Sequence, residues 1–476
     1  MTKLSGGNIG LVVFVVYTAM ASVSHAQVFM TLASFDGTDG ATPYYGALAQ
    51  GADGSLFGTT LFGGVETCGN SLGCGTAFMV TLAGQLSTVH IFCLDAGCPD
   101  GAEPIGGLLL AGDGNLYGTT SSYPEAGTVF KIDTRGRLTT IQTFNGGDGA
   151  GPYAGLVQGV DGSFYGTTSE GGTNDYGTAF RISPAGILTT LRDFSSSDGK
   201  FPYAKLALAT NGDFYGTAIN GGTHGLGTVF RLSSSGAFSV LYDFCSLPNC
   251  ADGGAPTGGL LWANDGNFYG TTSSGGSRLC SCGTVFRMSP TGKVTVIHTF
   301  NNGDGNTPAN NGDGNTPAAG VIQGTDGNLY GTTVGGGTND YGTIFRIAHN
   351  GALTTLHNFD ENGSVPSADL LQDTNGIFYG TTSHGGDGTI FSLDLGLGPF
   401  ITFVRAFGKI GQTGGILGQG FTGTTSVSLN GTPVSFTVVS DTYIRGTVPV
   451  GATTGYVTVT TPSGTLSSNV PFQVIP

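Results

Sequence analysis

An eight-residue phrase written seven times constrains this chain more than any other feature. "DGNLYGTT" at 113–120 recurs as "DGSLFGTT" (53–60), "DGSFYGTT" (161–168), "NGDFYGTA" (211–218), "DGNFYGTT" (265–272), "DGNLYGTT" (326–333) and "NGIFYGTT" (375–382). The shared glycines, Gly58, Gly118, Gly166, Gly216, Gly270, Gly331 and Gly380, are spaced by 60, 48, 50, 54, 61 and 49 residues. The longest spacing has a visible cause, since "NGDGNTPA" occurs at 302–309 and again at 311–318. Whatever one copy folds into, the chain must fold seven times.

Each copy carries a second phrase downstream, such as "GTVFK" (127–131) or "GTVFR" (227–231). A third follows in the first six, such as "LTTLRDF" (188–194), and a short apolar piece precedes each Asp-Gly or Asn-Gly turn. These four runs are rich in Val, Phe, Tyr and Thr and are cut by Gly, Asn and Asp, so each reads as a strand. No helical period of useful length appears. An all-β fold follows, and four strands per repeat predict a seven-bladed β-propeller. The seventh copy lacks its third phrase: after "GTIFSL" (388–393) comes "DLGLGPF". The missing strand is "FMTLASF" (29–35), in which Leu32, aligned on Phe35, falls where Leu191 and Leu356 fall in their copies. The first strand is therefore expected to complete the last blade and remove an open sheet edge.

At 476 residues the chain is too long for one ordinary core, so two or more domains are expected. Its formal charge of −15 is spread without a basic run, which disfavours nucleic acid and anionic lipid as partners. Residues 1–26 read as a cleaved secretory signal: Lys3, an apolar run from Ile9 to Ala21, then Ser24 and Ala26 before Gln27. An uncleaved anchor is the alternative, but the run is short for a spanning helix. The mature chain is thus expected to be secreted or at the cell surface, monomeric and not inserted in a membrane. The eight cysteines fall as close pairs, Cys68/Cys74, Cys93/Cys98, Cys245/Cys250 and Cys280/Cys282. None has zinc-site spacing, so local disulfides are expected, the tight Cys280/Cys282 ring being the least favoured.

With the strands lettered a to d from the piece before the Asp-Gly turn, the a–b and c–d turns are tight and share one face. The b–c and d–a loops are long, variable and share the other, where functional loops are expected. All four cysteine pairs fall there. The d–a loops share Asp-Gly-x-x-Pro, from Asp39–Pro43 to Asp313–Pro317, with Asn362–Pro366 in the last copy. Recurrence in every copy reads as turn chemistry. Residues that differ between copies are the better ligand candidates: Tyr44, Tyr153 and Tyr203 after the proline, and Asn174, Asp175, Tyr176 and Asn339, Asp340, Tyr341 in two "TNDYGT" loops. A flat ring beside hydrogen-bonding groups suits a sugar, and inter-blade packing is the competing reading. Tyr153 and Tyr203, on adjacent blades, are expected to share the rim of one depression. No catalytic triad or metalloprotease motif is present, and no metal, cofactor or catalytic residue is expected.

From Gly398 the repeat stops. The stretch 416–474 alternates strand runs with Gly, Asn and Ser turns at a length that suits a small sandwich. Through "GQGFTG" (418–423), "VSLNG" (427–431), "VVSDTYIRGTVP" (438–449) and "GYVTVTTPSG" (455–464) it resembles the immunoglobulin-like IPT/TIG domain. The usual opening Pro-x-x-Gly is missing from "AFGKIGQTGG" (406–415), so an irregular first strand is expected. Over about residues 36–392 the repeats resemble the GloVer (Gloeo/Verruco) tandem repeat. That resemblance implies exported proteins with differing C-terminal anchors and no known activity; no anchor pattern is visible here. The expected plan is a signal peptide at 1–26, a propeller at 27–397 and an IPT/TIG Ig-like domain at 398–476. The expected function is non-enzymatic binding of glycan or protein by the loop-rich face. The rivals are a polysaccharide-active hydrolase or lyase at the channel mouth and a structural spacer of the cell envelope.

Overall fold

The computed structural model describes residues 27–475 except 65–71, 123–125, 134, 278–280 and 302–311. The leader therefore lies outside the described residues. The described chain is all-β, with a single three-residue 3₁₀ turn at Pro248–Cys250. Each repeat forms one four-stranded antiparallel sheet in the order a-b-c-d, as in Val157–Gln158, Phe164–Thr168, Thr178–Ile182 and Leu188–Asp193. The seventh sheet takes its outer strand from the other end of the chain. Val28–Ser34 pairs antiparallel with Thr389–Asp394, setting Phe29 opposite Leu393 and Ser34 opposite Thr389.

The recurrent phrases are explained by what each residue touches. The glycine of "YGTT" lies opposite the phenylalanine of "GTVF", and a Cβ on Gly118 would meet that ring, Phe130, at 2.5 Å. The second threonine bonds the threonine of the next strand, as Thr120 Oγ1 to Thr128 Oγ1 at 2.7 Å. The first threonine reaches the following sheet, as Thr119 Oγ1 donating to the Ala154 carbonyl at 3.1 Å. The tyrosine also stacks forward: Tyr117 on Phe164 and Tyr165 on Phe214, both at 4.1 Å.

The phenylalanine that ends each d strand packs on the "GTxF" phenylalanine of the next sheet. Phe92 meets Phe130 at 5.1 Å, and the series runs on to Phe359 against Phe391 at 5.3 Å. Phe35, just after the N-terminal strand, meets Phe78 of the first sheet at 5.0 Å and completes the series. The same cluster joins Leu48 and Leu56 to Tyr379 and Ile390 of the seventh sheet, so the first and last sheets pack on each other.

The tail forms two further four-stranded sheets around Ile401, Phe421, Val427, Ile444 and Val459. Its first strand is broken. Thr402–Phe403 pairs antiparallel with Ile416 and Leu417, the backbone bends through 404–406, and Phe407–Lys409 then runs parallel to Gln473–Ile475. The face of tight turns is not bare, because the tail sits on it. Leu417 and Tyr443 join a core with Leu108 and Leu110. Thr442 Oγ1 and Ser440 Oγ donate to the Ala52 carbonyl at 2.8 and 3.1 Å, and Gln419 Nε2 donates to Thr374 Oγ1 at 3.0 Å. The a–b turns of the neighbouring seventh and first sheets therefore serve as a seat.

Disulfides join Cys93 to Cys98 and Cys245 to Cys250. Cys74 and Cys282 are also disulfide-bonded. Their expected partners, Cys68 and Cys280, lie outside the described residues. Among the described residues no helix is long and apolar enough to cross a membrane.

Candidate functional site

The seven a strands line a central channel, and one repeat position forms its waist. The residue at that position is Ala47, Gly107, Gly155, Lys205, Gly259, Gly320 or Asp369. Five are small because successive backbones crowd there: a Cβ on Gly155 would lie 2.9 Å from the Gly107 carbonyl oxygen, and one on Gly320 2.6 Å from that of Gly259. The other two carry opposite charges and stand three sheets apart. Asp369 accepts a hydrogen bond from the Gly320 N–H at 2.6 Å. Burial pushes the Asp369 carboxyl up and the Lys205 amine down, and each charge partly offsets the other. Lys205 is hemmed in by protein yet its side chain remains exposed, because it projects into the channel.

Above the waist, on the long-loop face, lies a cavity of about 150 Å³. Its walls include Tyr45, Tyr153, Tyr203 and Ile219, and Lys205 and Asp369 lie at its floor. Tyr153 and Tyr203 sit with ring centroids 5.0 Å apart at an interplanar angle of 51°. Burial, reinforced by the nearby Glu170, Tyr203 and Glu103 charges, pushes Tyr153 up to about 12. Burial and Glu170 raise Tyr203 as well. Both phenols stay protonated and able to donate at any physiological pH.

The shared loop motif aims these rings. The residue before the proline takes a positive φ in all seven copies, between 50° at Ala255 and 59° at Glu103 and Phe201. Six of the seven are not glycine, a conformation that costs roughly 1 kcal/mol each. A backbone bond to the preceding copy holds it, as when Phe201 N–H donates to the Tyr176 carbonyl at 3.1 Å. The chain then turns inward, and the residues after the proline reach the channel mouth.

The candidates separate into two groups. Tyr153 and Tyr203 line the cavity together. In the first copy the lining residue is Tyr45, with Tyr44 packed against it at 4.2 Å. Two adjacent tyrosines left that choice open in the sequence. The "TNDYGT" residues lie away from the mouth. Asn174 and Asn339 donate from Nδ2 to the carbonyls of Phe194 and Phe359 at 3.0 and 3.2 Å. Asp175 and Asp340 accept from the N–H groups of Gly171 and Gly336. Tyr176 carries Lys200 Nζ over its ring at 4.1 Å, and Tyr341 accepts from the Val365 N–H through its carbonyl. Lys205 and Asp369 escaped sequence reasoning, although a charge at a position otherwise held by Gly or Ala is a visible signal. Among the described residues no group of three or more His, Cys, Asp or Glu is placed to hold a metal ion.

The model of the Gloeobacter/Verrucomicrobia repeat matches residues 6–158, 121–312 and 309–448. The chain belongs to this family. No curated protein matches the sequence. Among solved structures, this repeat protein is similar to the extracellular domain assigned to the hybrid two component system BT4673 of B. thetaiotaomicron, at 12% identity and a TM-score of 0.48. That match covers 92% of this chain but only 46% of the other, so the chain spans about half the length of that relative. It is also similar to XC5397, a gluconolactonase from Xanthomonas campestris, at 12% identity and a TM-score of 0.39, covering 79% of this chain and 93% of that one. A luciferin-regenerating enzyme aligns at 13% identity and a TM-score of 0.39, over 62% of this chain and 92% of its own. Likenesses this distant carry no argument about activity.

Proposed function

We propose that this is an exported, non-enzymatic protein that binds the ring of a neutral sugar at the open mouth of a seven-bladed β-propeller, with an Ig-like IPT/TIG-type domain seated on the opposite face. The observation that carries the reading is the pair Tyr153 and Tyr203, 5.0 Å apart over a floor holding one cation and one anion. A sugar offers apolar C–H faces to such rings and hydroxyls to such a floor. A cavity near 150 Å³ takes about one six-membered ring. The site is therefore matched to a terminal sugar residue and not to an embedded chain. Lys205 supplies donors, Asp369 supplies acceptors, and their charges cancel, which favours neutral over anionic sugars.

Asp369 is the one carboxylate lining the cavity among the described residues. Glycoside hydrolysis by the usual route needs two, about 5–9.5 Å apart across the bond. Disulfides within the loops support an oxidising compartment and hence export. The test is a glycan array with the mature chain, followed by titration of any neutral hit. Replacing both rings, Tyr153→Ala with Tyr203→Ala, should weaken binding about tenfold or more, since each stacked ring contributes on the order of 1 kcal/mol. No neutral hit, or unchanged affinity in a folded double variant, removes this reading and leaves the envelope spacer ahead.

A further inference from the structure

A second cavity lies at the other end of the channel and differs in chemistry. It is a cleft of about 610 Å³ between the turn ends of the a strands and the tail. On the repeat side Val157, Leu208 and Trp262 line it, and on the tail side Phe407 and Pro471. A volume in this range suits a small-molecule ligand, against about 300–1,000 Å³ for typical sites. Val160 at its edge is 38% exposed, an apolar surface with no protein cover.

Its charges are one-sided. Arg405 and Lys205 both line the cleft and among the described residues no Asp or Glu does; with Lys205 offset by Asp369, the charge without a counter-ion is that of Arg405. The chain as a whole carries −15, so a cationic cleft without an acid runs against its composition. Arg405 sits at the break in the first tail strand, half-buried, with its guanidinium against Gly112 and 5.5 Å from the Phe407 ring. Burial lowers its pKa with no carboxylate offsetting the effect. The acids of the neighbouring turns are engaged elsewhere: Asp113 with Asn115 and Tyr117, Asp265 with Asn267 and Tyr269. A partly desolvated cation without a counter-charge is costly, and an arriving anion would relieve it.

We propose that this cleft binds an amphipathic carboxylate, a free aliphatic or aryl chain ending in one carboxylate group. The apolar chain lies along Trp262, Leu208 and Phe407, and the carboxylate meets Arg405. Guanidinium recognises carboxylate through paired donors, which a hydroxyl head group cannot match. This site is independent of the sugar-binding mouth and shares only Lys205 with it.

Trp262 is the only tryptophan of the chain and lines the cleft, so its emission reports on this end of the channel. The full mature chain is titrated with decanoate, decan-1-ol and decyltrimethylammonium, each below its micelle-forming concentration. Decanoate should shift Trp262 emission saturably, with a Kd about tenfold or more below that of decan-1-ol, and the ammonium should give no saturable shift. Arg405→Gln should raise the decanoate Kd about tenfold and leave decan-1-ol unchanged, whereas Arg405→Lys should keep decanoate within about threefold. Equal affinity for acid and alcohol, no saturable shift with decanoate, or unchanged decanoate binding by folded Arg405→Gln would each overturn the proposal. If Arg405→Gln does not fold, the ratio of acid to alcohol in the parent chain decides.

Discussion

The two ends of the central channel are built from the same seven strands and have become opposites. At the long-loop end the chain enters each a strand after an Asp-Gly-x-x-Pro or Asn-Gly-x-x-Pro turn, and three copies put Tyr45, Tyr153 and Tyr203 at the mouth. At the tight-turn end each strand leaves through an Asp-Gly or Asn-Gly pair, and those turns hold the tail through Ala52, Thr374 and Asn264. Loop length suggests that the first end has all the function. The contacts teach otherwise: short, uniform turns make a level platform, and a platform is what a second domain needs. Long loops give one end variety of side chain, and short ones give the other a docking surface.

The largest expected effect tests the contact between the first and last sheets, on which both ends depend. Phe29 stacks on His357 at 3.6 Å and Phe35 meets Phe78, so the N-terminal strand seals the seventh sheet on both faces. Phe35 is buried and Phe29 half-buried, so losing both rings should cost several kcal/mol, at about 3–5 kcal/mol for a fully buried phenylalanine and less for the other. Removing residues 27–35 from the mature chain should abolish soluble monomer or lower Tm sharply. A truncated chain that melts like the parent would break the comparison at its root.

Next in size is a pH effect confined to the tail seat. Asp373 is buried there, with one carboxylate oxygen unpartnered, and burial raises its pKa from 3.8 to about 6. The N–H of Asn375 and the amide of Gln419 oppose that rise without cancelling it. The folded chain therefore holds a proton that the unfolded chain releases. Stability from this group is present below about pH 4 and is lost as pH rises through about 6. The loss is on the order of 3 kcal/mol. Asp373→Asn should flatten the fall in Tm between those values and raise Tm at neutral pH. An unchanged pH slope would mean that the seat is open to water.

Smaller again is the effect of Asn339→Ala. Its amide bonds the Phe359 carbonyl, so the change should lower stability by about 1 kcal/mol and leave sugar affinity untouched. A drop in affinity without a drop in Tm would move the binding surface out to the "TNDYGT" loops.

Much of this fold is legible in the sequence because the repeat states its own rules seven times. Gly118 against Phe130 is a pair that every copy repeats, and Thr120 against Thr128 one that every copy but the fourth repeats, where Ala218 stands opposite Thr228, so periodicity alone marks them. The orphan strand was legible because a missing phrase and a spare phrase match. The mouth was legible in part. Tyr153 and Tyr203 stand out as departures between copies, but the choice of Tyr45 over Tyr44 depends on how one loop turns. The tail seat was not legible, because Leu417, Tyr443 and Gln419 read as ordinary sandwich residues until the second domain is placed. Arg405 is hidden for the same reason: a lone arginine in a mainly apolar stretch says nothing until a strand break aims it into a cleft.

The central claim is that the neutral sugar binds at the tyrosine mouth and not at the turn face. Hydrogen–deuterium exchange on the full mature chain, with and without a saturating neutral glycan from the array, tests it most directly. The account predicts slowed exchange in segments 44–48, 153–155 and 203–205, with segments 373–376 and 440–443 unchanged. Protection at the turn segments with none at the mouth would contradict it.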